Sequence, residues 1–154
     1  MEGKLKENPK PKGTMIGELI DLKTGKVVQR EVVGNLVTDV GENMLAYLLK
    51  GDQSTKGYVT HASLCDSTDD PLETDTTEVG TNKGPRKTIT ATISASKITF
   101  EVTWDSGEAN YTIRRGYLFT AASGGNLFAT GKFSTSFTKT SDYAYKLTYE
   151  VTFA

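Results

Sequence analysis

A chain of 154 residues with eighteen basic and nineteen acidic side chains carries a formal net charge of −1, which leaves no global field to draw it onto a polyanion, and nucleic acid is not an expected partner. Hydrophobic residues make up only 36% of it, enough for one domain with an economical core, and the abundant Thr, with Tyr, Phe and Val, favours pleated half-buried surfaces over helices. No apolar run approaches the roughly 20 residues of a membrane span, and the polar first 13 residues lack the apolar centre of a signal peptide, so a soluble product without membrane partners is expected. Cys65 is the single cysteine; an intrachain disulfide is excluded, and the thiol is expected to act as a small buried hydrophobe.

Residues 1–13 carry Lys4, Lys6, Lys10 and Lys12, two glutamates and two prolines, with only Met1 and Leu5 to bury. Such a segment cannot offset its own ordering entropy and reads as an extended arm, leaving 14–154 as a single domain. From Met15 to Val33, two β-prone runs flank Lys23-Thr24-Gly25-Lys26, a hairpin pattern in which Ile16, Glu18, Ile20 and Leu22 share one face and Gly17, Leu19 and Asp21 the other. Residues 34–51, GNLVTDVGENMLAYLLKG, predict a helix near 40–50. Asp39 and Glu42 have capping-box spacing, Gly51 is a stop, and Val40, Met44, Leu45, Leu48 and Leu49 form a core-facing stripe.

YVTHASLCD, residues 58–66, alternates as a strand with Val59, His61, Ser63 and Cys65 opposite Tyr58, Thr60, Ala62 and Leu64. His61 is the only histidine, too few donors for a histidine-based metal site, and is read as having a structural or surface role. The polar segment 67–85 follows, with Asp69, Asp70, Glu73, Asp75 and Glu78. It reads first as a solvated loop or an arm reaching a neighbour. Its carboxylates lack the D-x-[DN]-x-[DN]-G spacing of a calcium loop, and as a glycoside-hydrolysing pair they would sit in a stretch that specifies no geometry. No required metal and no cofactor are expected.

Residues 86–104 alternate most cleanly. Ile89, Ala91 and Ile93, then Ile98, Phe100, Val102 and Trp104, fall on one parity, with a turn at Ser94–Lys97. A second hairpin, from Ala109 to Phe133, reverses at Gly124-Gly125-Asn126 and is expected at the centre of the domain. Tyr111, Ile113, Tyr117 and Phe119 share a parity there that Arg115 interrupts, and Phe100, Ile113 and Phe119 are expected to be buried. The last strand, Ala144–Phe153, sets Tyr145, Leu147, Tyr149, Val151 and Phe153 on one face. About eight strands with one short helix predict an all-β fold, an antiparallel β-sandwich of which the jelly roll is one topology.

The chain shows no G-x-S-x-G elbow, phosphate loop or metal-ligand cluster, so no enzyme is expected. A carbohydrate-binding module would need Trp104 and tyrosines for stacking, but most of these occupy the apolar parity of a strand.

Four blocks in order carry a resemblance: NLVTDVGENMLAYLL; THASLCDSTDDP with its Thr- and Asp-rich loop; EANYTIRRGYLF; and KTSDYAYKLTYEVTF. They resemble small virion proteins of tailed bacteriophages, whose pattern runs N-L-V-T-x-x-G, a helix, T-H-x-x-L, a T-I-R-E-x-G-L-F strand and a last strand ending in T-F. The match spans Gly34 to Phe153. It departs at Leu64-Cys65-Asp66, where a small Gly-rich sequence is usual, and at Arg115-Gly116-Tyr117, where an acidic residue and Gly-Leu are usual.

The resemblance implies a structural component of a phage particle, assembled in the host cytoplasm. It would be a capsid decoration (cement) protein bound to the major capsid protein as a homo-oligomer, with a trimer as the first expectation, or a tail or fibre component. It identifies no catalytic or ligand residues. Within such an oligomer, Lys4, Lys6, Lys10 and Lys12 of the arm and Asp69, Asp70, Glu73 and Asp75 of the loop are the expected inter-subunit contacts, because neither segment has the apolar content to order itself.

Overall fold

The computed structural model describes residues 12–153, with Lys12 described by its backbone alone. The strands are β1 (Lys12–Asp21), β2 (Val27–Val37), β3 (His61–Cys65), β4 (Lys87–Thr88), β5 (Thr90–Ser94), β6 (Lys97–Trp104), β7 (Thr112–Phe119), β8 (Leu127–Thr138) and β9 (Tyr143–Thr152), with helix α1 (Asp39–Leu49) after β2. All pairings are antiparallel, in the order β4-β3-β7-β8-β2-β1-β9-β6-β5. The two ends of that order, β4 and β5, are joined in sequence by Ile89 alone, so the sheet bends back on itself and nearly closes. The fold is the expected antiparallel all-β architecture with one short helix. The Ala109–Phe133 hairpin is β7–β8 and lies among the interior strands of the order, as expected.

The interior is set by close approach across this wrapped sheet. Gly116 of β7 pairs with Gly131 of β8, and a Cβ on either would lie 2.9 Å from Met15 of β1. The fully buried Met15 therefore fills the space those side chains would take. Beyond it Phe133, Phe137 and Tyr145 pack edge to face, with centroid separations of 4.9–6.4 Å. Of the first hairpin it is Met15, Gly17 and Leu19 that are buried, while Ile16 and Ile20 are half-buried. Strand β1 also begins at Lys12, opposite Thr152, so the last two residues of the segment read as an arm belong to the sheet.

Helix α1 lies across the end of the sheet where β2 ends. Its cap is Thr38 and not Asp39: the Thr38 hydroxyl accepts from the Gly41 amide at 2.9 Å and donates to the Leu127 carbonyl at 2.6 Å, fastening the first turn to β8. A Cβ at Gly41 would lie 2.1 Å from the Phe128 carbonyl oxygen, which is why the third helical residue is glycine. At the other end Gly51 adopts a φ of 91°, its amide bonds to the Leu48 carbonyl, and that of Asp52 bonds to Tyr47, a Schellman stop. Met44 is buried, and Leu45 and Leu48 are half-buried; Leu49, assigned to the stripe, is 92% exposed. It falls in the final turn, beyond the edge of the sheet's cover.

Candidate functional surfaces

Strand β7 changes face part-way, and this creates the first surface. Its register with β8 slips between Ile113 and Arg115, so Ile113 enters the interior while Arg115, Tyr117 and Phe119 line the outer side, against the same-parity expectation. Both sides are buried, because the acidic segment after β3 covers the outer one. There Cys65, Tyr117, Phe119 and Leu127 form a second apolar cluster, and the Tyr117 hydroxyl lies 3.2 Å from Cys65 Sγ. Burial pushes the Tyr117 phenol well above its ordinary range. Phe100, Ile113 and Phe119 are all buried, as expected.

Two arginines hold the cover down. Arg115, 1% exposed, donates to Asp75 Oδ2 at 2.9 Å, to Thr130 Oγ1 at 3.0 Å and to the Asp69 carbonyl at 3.3 Å. Arg86 makes a two-pronged contact with Glu78, at 2.9 and 3.0 Å, and stacks 3.5 Å over the Phe119 ring. Its third nitrogen donates to the carbonyls of Ala121 and Gly124, tying the cover to the β7–β8 turn. Burial acts to raise the Glu78 carboxyl, but the hydrogen bonds it accepts, first among them those of Arg86, together with the Arg86 charge hold the pKa at about 2. Behind Glu78, the Asp66 carboxylate accepts the amides of Thr81 and Asn82, and Tyr111 and Trp104 donate to the Gly84 and Pro85 carbonyls.

The expected contact residues divide accordingly. Asp75 is engaged by Arg115, and Asp70 by Lys132 Nζ at 3.0 Å with its side chain 85% exposed. Asp69 contributes its carbonyl to Arg115, and the Glu73 carbonyl accepts from the Asp39 amide at 2.9 Å. The loop is thus ordered on its own chain, by arginines, and does not need the apolar content the sequence reading required of it. Lys4, Lys6 and Lys10 lie outside the described residues, as does the side chain of Lys12. Among the described residues no group of three or more His, Cys, Asp and Glu is arranged to hold a metal ion. His61 is half-buried, with Nδ1 2.8 Å from Thr60 Oγ1.

Among the described residues, nothing covers the second and third surfaces. Along the β1–β2 hairpin Leu22, Val27, Val28 and Val32 are 49%, 46%, 53% and 49% exposed. At the helix end, a groove of about 420 Å³ opens between α1 and the β5–β6 hairpin, beside the exposed Ile93, Tyr58 and Phe153. Trp104, the stacking candidate, is fully buried, with its indole nitrogen donating to the Pro85 carbonyl at 2.8 Å.

Sequence reasoning missed the Arg86–Glu78 clamp and both bare surfaces. One signal was present: Arg115 interrupts an apolar parity, which requires either a face change or a buried partner.

Compared with known proteins, the chain matches no family model, no curated protein and no solved structure.

Proposed function

We propose that this chain is a non-enzymatic structural protein of a bacteriophage particle, a capsid decoration protein that binds the shell as a homo-oligomer, with a trimer as the expected state. The observation that carries the association is the β1–β2 hairpin, where four aliphatic side chains leave about half their surface to water. Half-exposed aliphatic side chains gathered on one hairpin suit a contact between proteins, and closed homo-oligomers are the common product of such contacts. The particle itself comes from the resemblance. Its blocks fall on defined elements: the N-L-V-T sequence ends β2 and caps α1, T-H-x-x-L enters β3, the T-I-R strand is β7, and the last block is β9.

The test is to add the purified protein to phage particles lacking it and measure the bound fraction by co-sedimentation, with electron microscopy locating the density. Saturable binding over the shell lattice is expected. Binding confined to the tail would move the protein to the tail or fibre reading, and protein left in the supernatant would overturn the virion role. A carbohydrate-binding role would now have to rest on Tyr58 and other partly exposed rings, since Trp104 is enclosed.

A further inference from the structure

We propose that the groove between α1 and the β5–β6 hairpin is the docking site of the chain's own N-terminal segment, residues 1–11, with Leu5 seated in it. The groove is lined by Met44, Leu45 and Leu48 of α1, by Ile93 and Ile98 of the hairpin, and by Phe153. Ile93 and Phe153 are 77% and 42% exposed, yet Ile93 lies opposite Ile98, itself opposite the buried Val151, and Phe153 shares the parity of the buried Tyr149 and Val151. The groove is therefore the open end of the core itself, an inward-type surface that nothing among the described residues covers.

The register shows what can reach it. Lys12 lies opposite Thr152, Thr152 opposite Lys97, and Lys97 opposite Ser94, so the chain enters β1 in line with the residue next to Ile93. Three strand spacings separate β1 from β5, about 14 Å. Leu5 precedes Lys12 by seven residues, a tether that spans up to about 24 Å when extended. A segment tethered this closely meets the groove at an effective concentration of the order of millimolar, which favours it over a second copy at ordinary concentrations.

Composition agrees with the geometry. Met1 and Leu5 are the only large apolar side chains before Lys12, and Lys4 and Lys6 have stems long enough to keep their charges in water beside a buried leucine. Pro9 and Pro11 lack backbone donors, a composition that disfavours strand pairing between Leu5 and β1.

The experiment uses the full chain at micromolar concentration with Leu5→Cys combined in turn with Ile93→Cys and with Leu48→Cys, oxidised and analysed by mass under denaturing conditions. Native Cys65 is buried and serves as the internal control. An intrachain disulfide in at least one pair is expected. A covalent dimer would assign the groove to a second copy, and no bond in either pair would leave it to an unrelated apolar occupant; both outcomes overturn the proposal. As a second measurement, deleting residues 1–11, or Leu5→Asp alone, should raise the fluorescence of an added apolar-surface dye several-fold, and unchanged fluorescence would count against it. None of these outcomes bears on the virion role.

Discussion

The acidic segment over β3, β7 and β8 and the outer side of the β1–β2 hairpin treat sheet surface in opposite ways. The first is polar in sequence and would be read as solvated, yet it is fixed in place because two arginines turn its carboxylates and carbonyls into a cover for Tyr117, Phe119 and Cys65. The second is rich in valine and would be read as core, yet Val27, Val28 and Val32 stand half in water. Polarity therefore does not separate internal from external surface in this protein. What separates them is whether a buried cation on the sheet gives the overlying chain something to bind.

If that comparison holds, the largest effects should come from the covered face. Asp75→Ala strips the partner from a guanidinium that is 1% exposed and should destabilise by about 3–5 kcal/mol, as breaking a buried pair does; denaturant melts showing under about 1 kcal/mol would mean that the cover is not held by charge. Phe119→Ala should cost a similar amount, on the order of 3–5 kcal/mol, by opening a cavity under Arg86. It should also loosen the β7–β8 turn, visible as faster amide exchange there.

Glu78→Gln removes a carboxylate whose pKa is held at about 2 against an ordinary 4.5, a difference worth about 3 kcal/mol. The sign follows from the depressed pKa: the stabilisation is fully present above about pH 4.5 and is lost as pH falls toward 2. Melting temperatures of the wild type should fall across that window more steeply than those of Glu78→Gln, and parallel curves would remove Glu78 from the account. At the small end, Asp70→Asn breaks a pair whose carboxylate is 85% exposed and should change stability by under about 1 kcal/mol.

Much of the fold was legible because alternation survives in the strands of the wrapped sheet. Ile98 to Trp104 and Tyr145 to Val151 follow their parity into the interior. The reading failed where periodicity is broken locally. A register slip at Arg115 sends Ile113 and Phe119 to opposite faces, and a two-residue period cannot report a slip whose position depends on the partner strand. The helix cap moved by one residue because the Thr38 hydroxyl, which accepts from the Gly41 amide, also donates to the Leu127 carbonyl, a partner that only tertiary structure supplies. The bare surfaces were illegible for a different reason: Val28 and Ile93 carry the same sequence signal as buried strand residues, and exposure at a hairpin end depends on what else the fold brings over it.

Whether the exposed face of the β1–β2 hairpin is a contact surface is measured directly by the solution mass, by sedimentation equilibrium, of the wild type and of Val28→Asp/Val32→Asp. A homo-oligomer, with three copies the expected number, should fall to the monomer in the double variant while its melting curve remains cooperative. A wild type that sediments as a monomer across the micromolar range, indistinguishable from the variant, would contradict the claim that this surface is built for association.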